Sequence, residues 1–155
     1  MTNHKVKCSN FEIANDKPFT LIAGPCQLEN EEHALKISSE LKKITTDLGI
    51  NLIYKTSFDK ANRTSLKGKR GMGLEKSLPI FDKIRKEVGL PVLTDVHTAE
   101  QCSIVANHVD VLQIPATPTA TAALDNYSTN PLCPPLFSPS PPGCWTEWVA
   151  SKITG

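Results

Sequence analysis

The chain has 155 residues, with 17 Lys and Arg against 16 Asp and Glu, a formal net charge of +1. So even a balance gives no field to steer nucleic acid, while 39% hydrophobic and 21% charged residues suit one ordinary core rather than a disordered chain. No run approaches the roughly 18 apolar residues that span a bilayer, and the opening MTNHKVKCSN lacks the apolar centre of a secretion signal, so neither nucleic acid nor membrane is an expected partner and the cytoplasm is the expected compartment.

In chain order, Phe19 to Ala23 is a short apolar run closed by Gly24-Pro25, which predicts a strand. Asn30 then offers a helix N-cap with Glu31 and Glu32 in the dipole-favoured first turn. Ala34, Ile37, Leu41, Ile44 and Leu48 recur at spacings of three and four, predicting one inward stripe that Gly49 terminates. Leu52 to Thr56 reads as a second strand. Leu74, Leu78, Phe81, Ile84 and Val88 form a second amphipathic stripe closed by Gly89. Pro91 opens a third strand through Val92, Leu93 and Thr94, and Thr98 with Gln101 has the spacing of a capping box for a short helix through Cys102, Ile104 and Val105. A fourth strand follows at Val111 to Ile114.

Four βα units in succession imply parallel strands joined by crossovers, and so either an α/β barrel or a doubly wound sheet. Both architectures carry their chemistry where strands end and loops begin. That directs attention to Gly24-Pro25-Cys26, Lys55 to Arg70, Asp95 to His97, and Gln113 to Ala116.

The composition changes after residue 116: the remaining charged side chains are Asp125, Glu147 and Lys152, and Pro118, Pro131, Pro134, Pro135, Pro139, Pro141 and Pro142 crowd the same stretch. Each proline removes a backbone donor and fixes φ, so no packed element is expected from Thr117 to Gly143. The segment reads as an irregular or disordered tail, with a polyproline docking segment as the functional alternative. Trp145 to Ile153 has the apolar spacing of one short helical face.

The loop from Lys55 to Arg70 holds Lys55, Lys60, Arg63, Lys67, Lys69 and Arg70, with Asp59 the sole acid. It is a local anion trap in a neutral protein: lysine supplies a compact charge, arginine a planar fork for phosphate or carboxylate, and Asn62, Thr64 and Ser65 neutral groups suited to sugar hydroxyls. Lys67, Lys69 and Arg70 equally suit a solvated loop, whereas Lys55 ends an apolar run, where an ammonium needs an anionic partner. Asp95 can accept hydrogen bonds from a substrate hydroxyl and His97 can move protons near neutrality; either can instead cap the following helix. Gln113 can orient a ligand or satisfy backbone groups. Five cysteines, with no CxxC pair, are expected to stay reduced, and Cys26 is either a small buried apolar residue or a thiolate metal ligand.

With these residues assembled, the chain resembles the 3-deoxy-D-manno-octulosonate 8-phosphate synthase family. The resemblance covers about residues 5 to 116 and rests on KTSFDKANRTS, supported by LIAGPCQLEN, LTDVH and LQIPA. The related 3-deoxy-D-arabino-heptulosonate 7-phosphate synthases share the layout but typically have Lys-Pro-Arg-Thr where this chain has Lys60-Ala-Asn-Arg-Thr, so Asn62 favours the octulosonate enzymes.

The resemblance implies a TIM barrel, of which residues 1–116 would form the N-terminal half, with 117–155 an atypical tail. It also implies aldol-type condensation of phosphoenolpyruvate with D-arabinose 5-phosphate in lipopolysaccharide precursor synthesis. Lys55 and Lys60 would contact phosphoenolpyruvate, Asn62, Arg63, Thr64 and Ser65 the arabinose phosphate, and Asp95 and Gln113 would line the reacting centre, with Lys60 and Asp95 as the catalytic pair. Members with cysteine at the position of Cys26 are metal-dependent, so a divalent metal is implied. The full-length family is homo-oligomeric. The lysine, arginine, His, Glu and Asp that further strands would bring have no match after Ala116, which leaves a catalytically inactive, self-associating half-barrel fragment as the alternative to an active enzyme.

Overall fold

The computed structural model describes residues 5–59, 72–114 and 148–151. Two three-residue strands, β1 (Val6–Cys8) and β2 (Phe11–Ile13), pair antiparallel as a hairpin. Ser9 at its turn has φ 51°. The main sheet runs in order β3 (Thr20–Ala23), β4 (Asn51–Lys55), β5 (Val92–Asp95), β6 (Val111–Ile114) and β7 (Trp148–Ser151). The first four are mutually parallel, as expected from the alternating units, and β7 lies antiparallel against β6.

Helix α1 (Glu31–Asp47) starts where the Asn30 side chain accepts from the His33 N–H at 2.8 Å. α2 (Leu74–Lys83) continues into a π-helical turn, Ile84–Val88, which ends at Gly89 with φ 70° and a Gly89 N–H to Ile84 carbonyl bond of 3.0 Å. The left-handed φ is one that glycine adopts without strain. α3 (Ala99–Val105) starts at Thr98, whose hydroxyl accepts from the Gln101 N–H, while the Gln101 side chain accepts from the His97 N–H at 2.8 Å. The predicted capping box is therefore present, displaced by one residue on its return arm.

All three helices pack on one face of the sheet. Ala34, Ile80, Phe81, Ile84, Val88, Cys102 and Val105 meet Leu52, Tyr54, Val92, Leu112 and Ile114 there in the main core. A doubly wound sheet would place helices on both faces. The opposite face is covered instead by the β1–β2 hairpin, where Cys8, Phe11 and Ile13 pack on Ile53, Leu93 and Val111.

Two expectations are corrected. In α1, Ala34, Ile37 and Leu41 pack on the core as expected and are joined by buried Ser38 and Thr45, but Ile44 and Leu48, expected in the same stripe, are 52% and 66% exposed. Ser38 and Thr45 bury without an orphan hydroxyl because they donate to the Leu35 and Leu41 carbonyls at 3.1 and 2.8 Å. Around Trp148, strand replaces the expected short helix: the edge of β6 offers an unpaired ladder, and tryptophan and valine favour strands over helices. The expected irregularity of Thr117 to Gly143 lies outside the described residues.

Candidate active site

Parallel strands alternate their side chains, so the face opposite the helices carries Ile53 and Lys55 from β4, Leu93 and Asp95 from β5, and Val111 and Gln113 from β6. The first of each pair is apolar and lies under the hairpin. The second is polar and lies at the C-terminal end of its strand. Asp95 and Gln113 are register partners, while Lys55 stands level with Leu93, one side-chain row earlier on the same face. The sheet thus presents an ammonium, a carboxylate and an amide on adjacent strands above an apolar floor.

Asp95 and Gln113 are buried, 9% and 4% exposed. Asp95 Oδ2 lies 3.3 Å from His97 Nε2, close enough for an ion pair once the ring is protonated, although the alignment is not that of a hydrogen bond. Asp95 Oδ1 is buried with no hydrogen-bond partner. A carboxylate oxygen left in this condition costs free energy unless something donates to it, so it is a ready acceptor for a hydroxyl or protonated group of a ligand. His97 is held from two sides, by its N–H bond to Gln101 and by an edge contact with Phe58 at 6.0 Å between ring centroids. Both residues were candidates for capping α3; Thr98 takes that role, which leaves Asp95 and His97 for the face.

Lys55 is half-buried, and its Nζ donates to Ser57 Oγ at 3.3 Å. Ser57 in turn receives the Leu28 N–H on its carbonyl at 2.8 Å, which fastens the loop after β3 to the end of β4. Gly24 makes this possible: a Cβ there would come within 2.0 Å of the Lys55 carbonyl oxygen. Asp59, at the mouth of the basic loop, also has a buried oxygen, Oδ1, without a partner.

Of the predicted site residues, the structure gathers Lys55, Asp95, His97 and Gln113 on one face. Lys60, Asn62, Arg63, Thr64 and Ser65 lie outside the described residues. Ser57 and Phe58, missed in the sequence reading, support Lys55 and His97; the alternation Ile53, Lys55, Ser57 was the available signal. Cys26 is exposed in the loop between β3 and α1 rather than buried. Among the described residues no three His, Cys, Asp or Glu side chains gather as a metal site, so on their own they do not fit a complete one. No helix among them is long and apolar enough to cross a membrane.

Comparison with known proteins places this face in context. The 2-dehydro-3-deoxyphosphooctonate aldolase of Brucella anthropi is 60% identical over 114 residues, covering 74% of this chain and 41% of that protein. Proteins of the same name from Chelativorans sp. (strain BNC1) and Brucella ovis are 60% and 59% identical over 114 residues, with the same coverage. The chain spans about two-fifths of the length of these curated relatives. The family model described as "DAHP synthetase I family" matches residues 3–130. The chain belongs to the DAHP synthetase I family.

Proposed function

We propose that this chain carries the substrate-gripping half of a 3-deoxy-D-manno-octulosonate 8-phosphate synthase site, built on the first four βα units of a TIM barrel. The observation that carries this reading is the set of polar side chains Lys55, Asp95 and Gln113 at the strand ends of one face, with the KANRTS sequence following β4 in the chain. Phosphoenolpyruvate, D-arabinose 5-phosphate and water would give the octulosonate phosphate and inorganic phosphate, a step in lipopolysaccharide precursor synthesis in the cytoplasm. Carbon 3 of the enol forms the new bond to the aldehyde carbon, water adds at carbon 2, and the carbon 2 phosphate ester is lost. Two phosphates and a carboxylate must be held side by side, which Coulomb repulsion forbids without clustered cations.

Lys55 and Lys60 take the phosphoenolpyruvate anion in this reading, and Asn62, Arg63, Thr64 and Ser65 the sugar phosphate. The unbonded Asp95 Oδ1 accepts from a sugar hydroxyl, Gln113 orients the reacting centre, and His97 holds or moves a proton beside Asp95. Cys26 is the one ligand we place on this chain for a divalent cation, which when bound supplies Lewis acidity toward aldehyde or water.

The chain spans 41% of the length of its relatives, and this favours a second reading, in which the 155 residues bind substrates without turning them over. A phosphate-release assay with both substrates and added divalent cation, run beside calorimetric binding of each, separates the outcomes. Release by homogeneous protein establishes the synthase, binding without release establishes the half-site, and neither binding nor release overturns the assignment.

A further inference from the structure

We propose that Gln101, on α3 and outside the polar layer, is a positioning residue of this site and acts through His97. Three observations converge on it. First, its hydrogen bond goes where helix capping does not require it. In a capping box the side chain at the third helical position returns to the N–H of the N-cap residue, which here is Thr98. Gln101 Oε1 instead accepts from the His97 N–H, one residue earlier, at 2.8 Å. Thr98 already caps the helix by accepting from the Gln101 N–H, so the diverted arm serves the loop rather than the helix.

Second, that N–H is the first one past the ladder of the sheet. The Val96 N–H still reaches the Gln113 carbonyl on β6 at 2.9 Å. One residue further, the bond to Gln101 takes over the fastening. Gln101 is a firm anchor, because Cys102 and Val105 beside it are fully buried in the core and hold α3 against the sheet. The bond therefore carries the rigidity of α3 to the chain that leaves Asp95.

Third, the imidazole has no fastening of its own toward the carboxylate. His97 Nε2 is buried 3.3 Å from Asp95 Oδ2 and makes no hydrogen bond among the described residues. The ring is placed by its backbone and by the edge contact with Phe58, 6.0 Å between centroids. If the backbone at 97 swings, the alignment with Asp95 goes with it, and a misplacement of about 1 Å in a site can cost about a hundredfold. The consequence for substrate rests on the reading above, in which Asp95 and His97 meet a sugar hydroxyl; the consequence for the ring does not.

Gln101→Met keeps the length and helix propensity of the side chain but removes the acceptor, and Gln101→Glu restores one. Nuclear Overhauser contacts between the His97 and Phe58 rings in the unliganded 155-residue protein, beside calorimetric binding of D-arabinose 5-phosphate, test the assignment. Expected in Gln101→Met are lost ring contacts and binding weaker by about tenfold or more, with circular dichroism unchanged, and recovery of both in Gln101→Glu. Gln101→Ala carries the same expectation and guards against a methionine that misfolds. In a His97→Ala background Gln101→Met costs no further binding, because its effect passes through the imidazole. Ring contacts that persist in Gln101→Met, a loss shared by Gln101→Glu, or an equal penalty without the imidazole would overturn the proposal. If the unsubstituted protein binds no sugar phosphate while Gln101→Met still frees the ring, the synthase reading falls and the positioning of His97 stands.

Discussion

Asp95 and Gln113 are register partners on β5 and β6, both buried on the face opposite the helices, and one carboxylate oxygen of Asp95 has no hydrogen-bond partner there. A fold selected for stability alone would not leave a carboxylate in this state, because an unpaired buried acceptor costs about 1–3 kcal/mol. Asp95→Asn is therefore expected to hold or raise the denaturation midpoint while lowering affinity for D-arabinose 5-phosphate by about tenfold or more. Thermal melts and calorimetry on the same preparations check both halves.

Gly24→Ala would push a methyl group into the Lys55 carbonyl oxygen, at 2.0 Å, with backbone rather than a flexible side chain on the other side. Either β3 or β4 must shift, and overpacking of this kind costs about 3 kcal/mol. The expected outcome is a lower urea midpoint together with weakened phosphoenolpyruvate binding, since Lys55 moves with its backbone.

Much of this architecture is legible in the sequence because parallel strands and amphipathic helices repeat hydrophobic periods. The four strands were expected at 19–23, 52–56, 92–94 and 111–114 and stand at Thr20–Ala23, Asn51–Lys55, Val92–Asp95 and Val111–Ile114. The polar layer was legible for the same reason, as each apolar run ends on Lys55, Asp95 or Gln113. What the pattern missed has physical causes. The β1–β2 hairpin consists of three-residue strands, too short to show a period, although Ser9-Asn10 between alternating residues is a turn signal. The α1 stripe held for Ala34, Ile37 and Leu41 but not for Ile44 and Leu48, because hydropathy does not credit Ser38 and Thr45 with bonding their own helix and so taking buried positions. Trp148–Ser151 became a strand because β6 offered it an edge, a tertiary influence no local window contains.

At the opposite end of the sheet, Asp110 holds the fold together. Its Oδ2 accepts from the Val92 N–H at 2.9 Å and from Arg85 Nε at 3.0 Å, and its Oδ1 accepts from an Arg85 terminal nitrogen at 3.2 Å. Asp110→Ala orphans a backbone donor and a part-buried guanidinium at once, which costs about 3 kcal/mol. Urea denaturation should show this loss, whereas substrate binding at the far end of the strands should be unchanged in protein that remains folded.

Two buried acids contribute to the alkaline limb of stability. Burial first, and Asp110 second, push the Cys8 thiol up from its ordinary 9.0 to about 12. Burial pushes the Tyr54 phenol up from 10.0 to about 12. Between the ordinary and raised values the unfolded chain has released these protons and the folded chain has not. Their contribution to stability is therefore complete below about pH 9 and declines as pH rises toward 12. Cys8→Ala should flatten the lower part of that decline, and urea midpoints measured at steps across this range check it.

The most direct test is equilibrium binding of phosphoenolpyruvate to the 155-residue protein and to its Lys55→Met variant, followed by calorimetry at fixed ionic strength. The polar layer at the strand ends predicts saturable binding that falls about tenfold or more when the ammonium is removed, with the melting temperature of the unliganded protein little changed. Binding of equal strength in both proteins, or none in either, would contradict it.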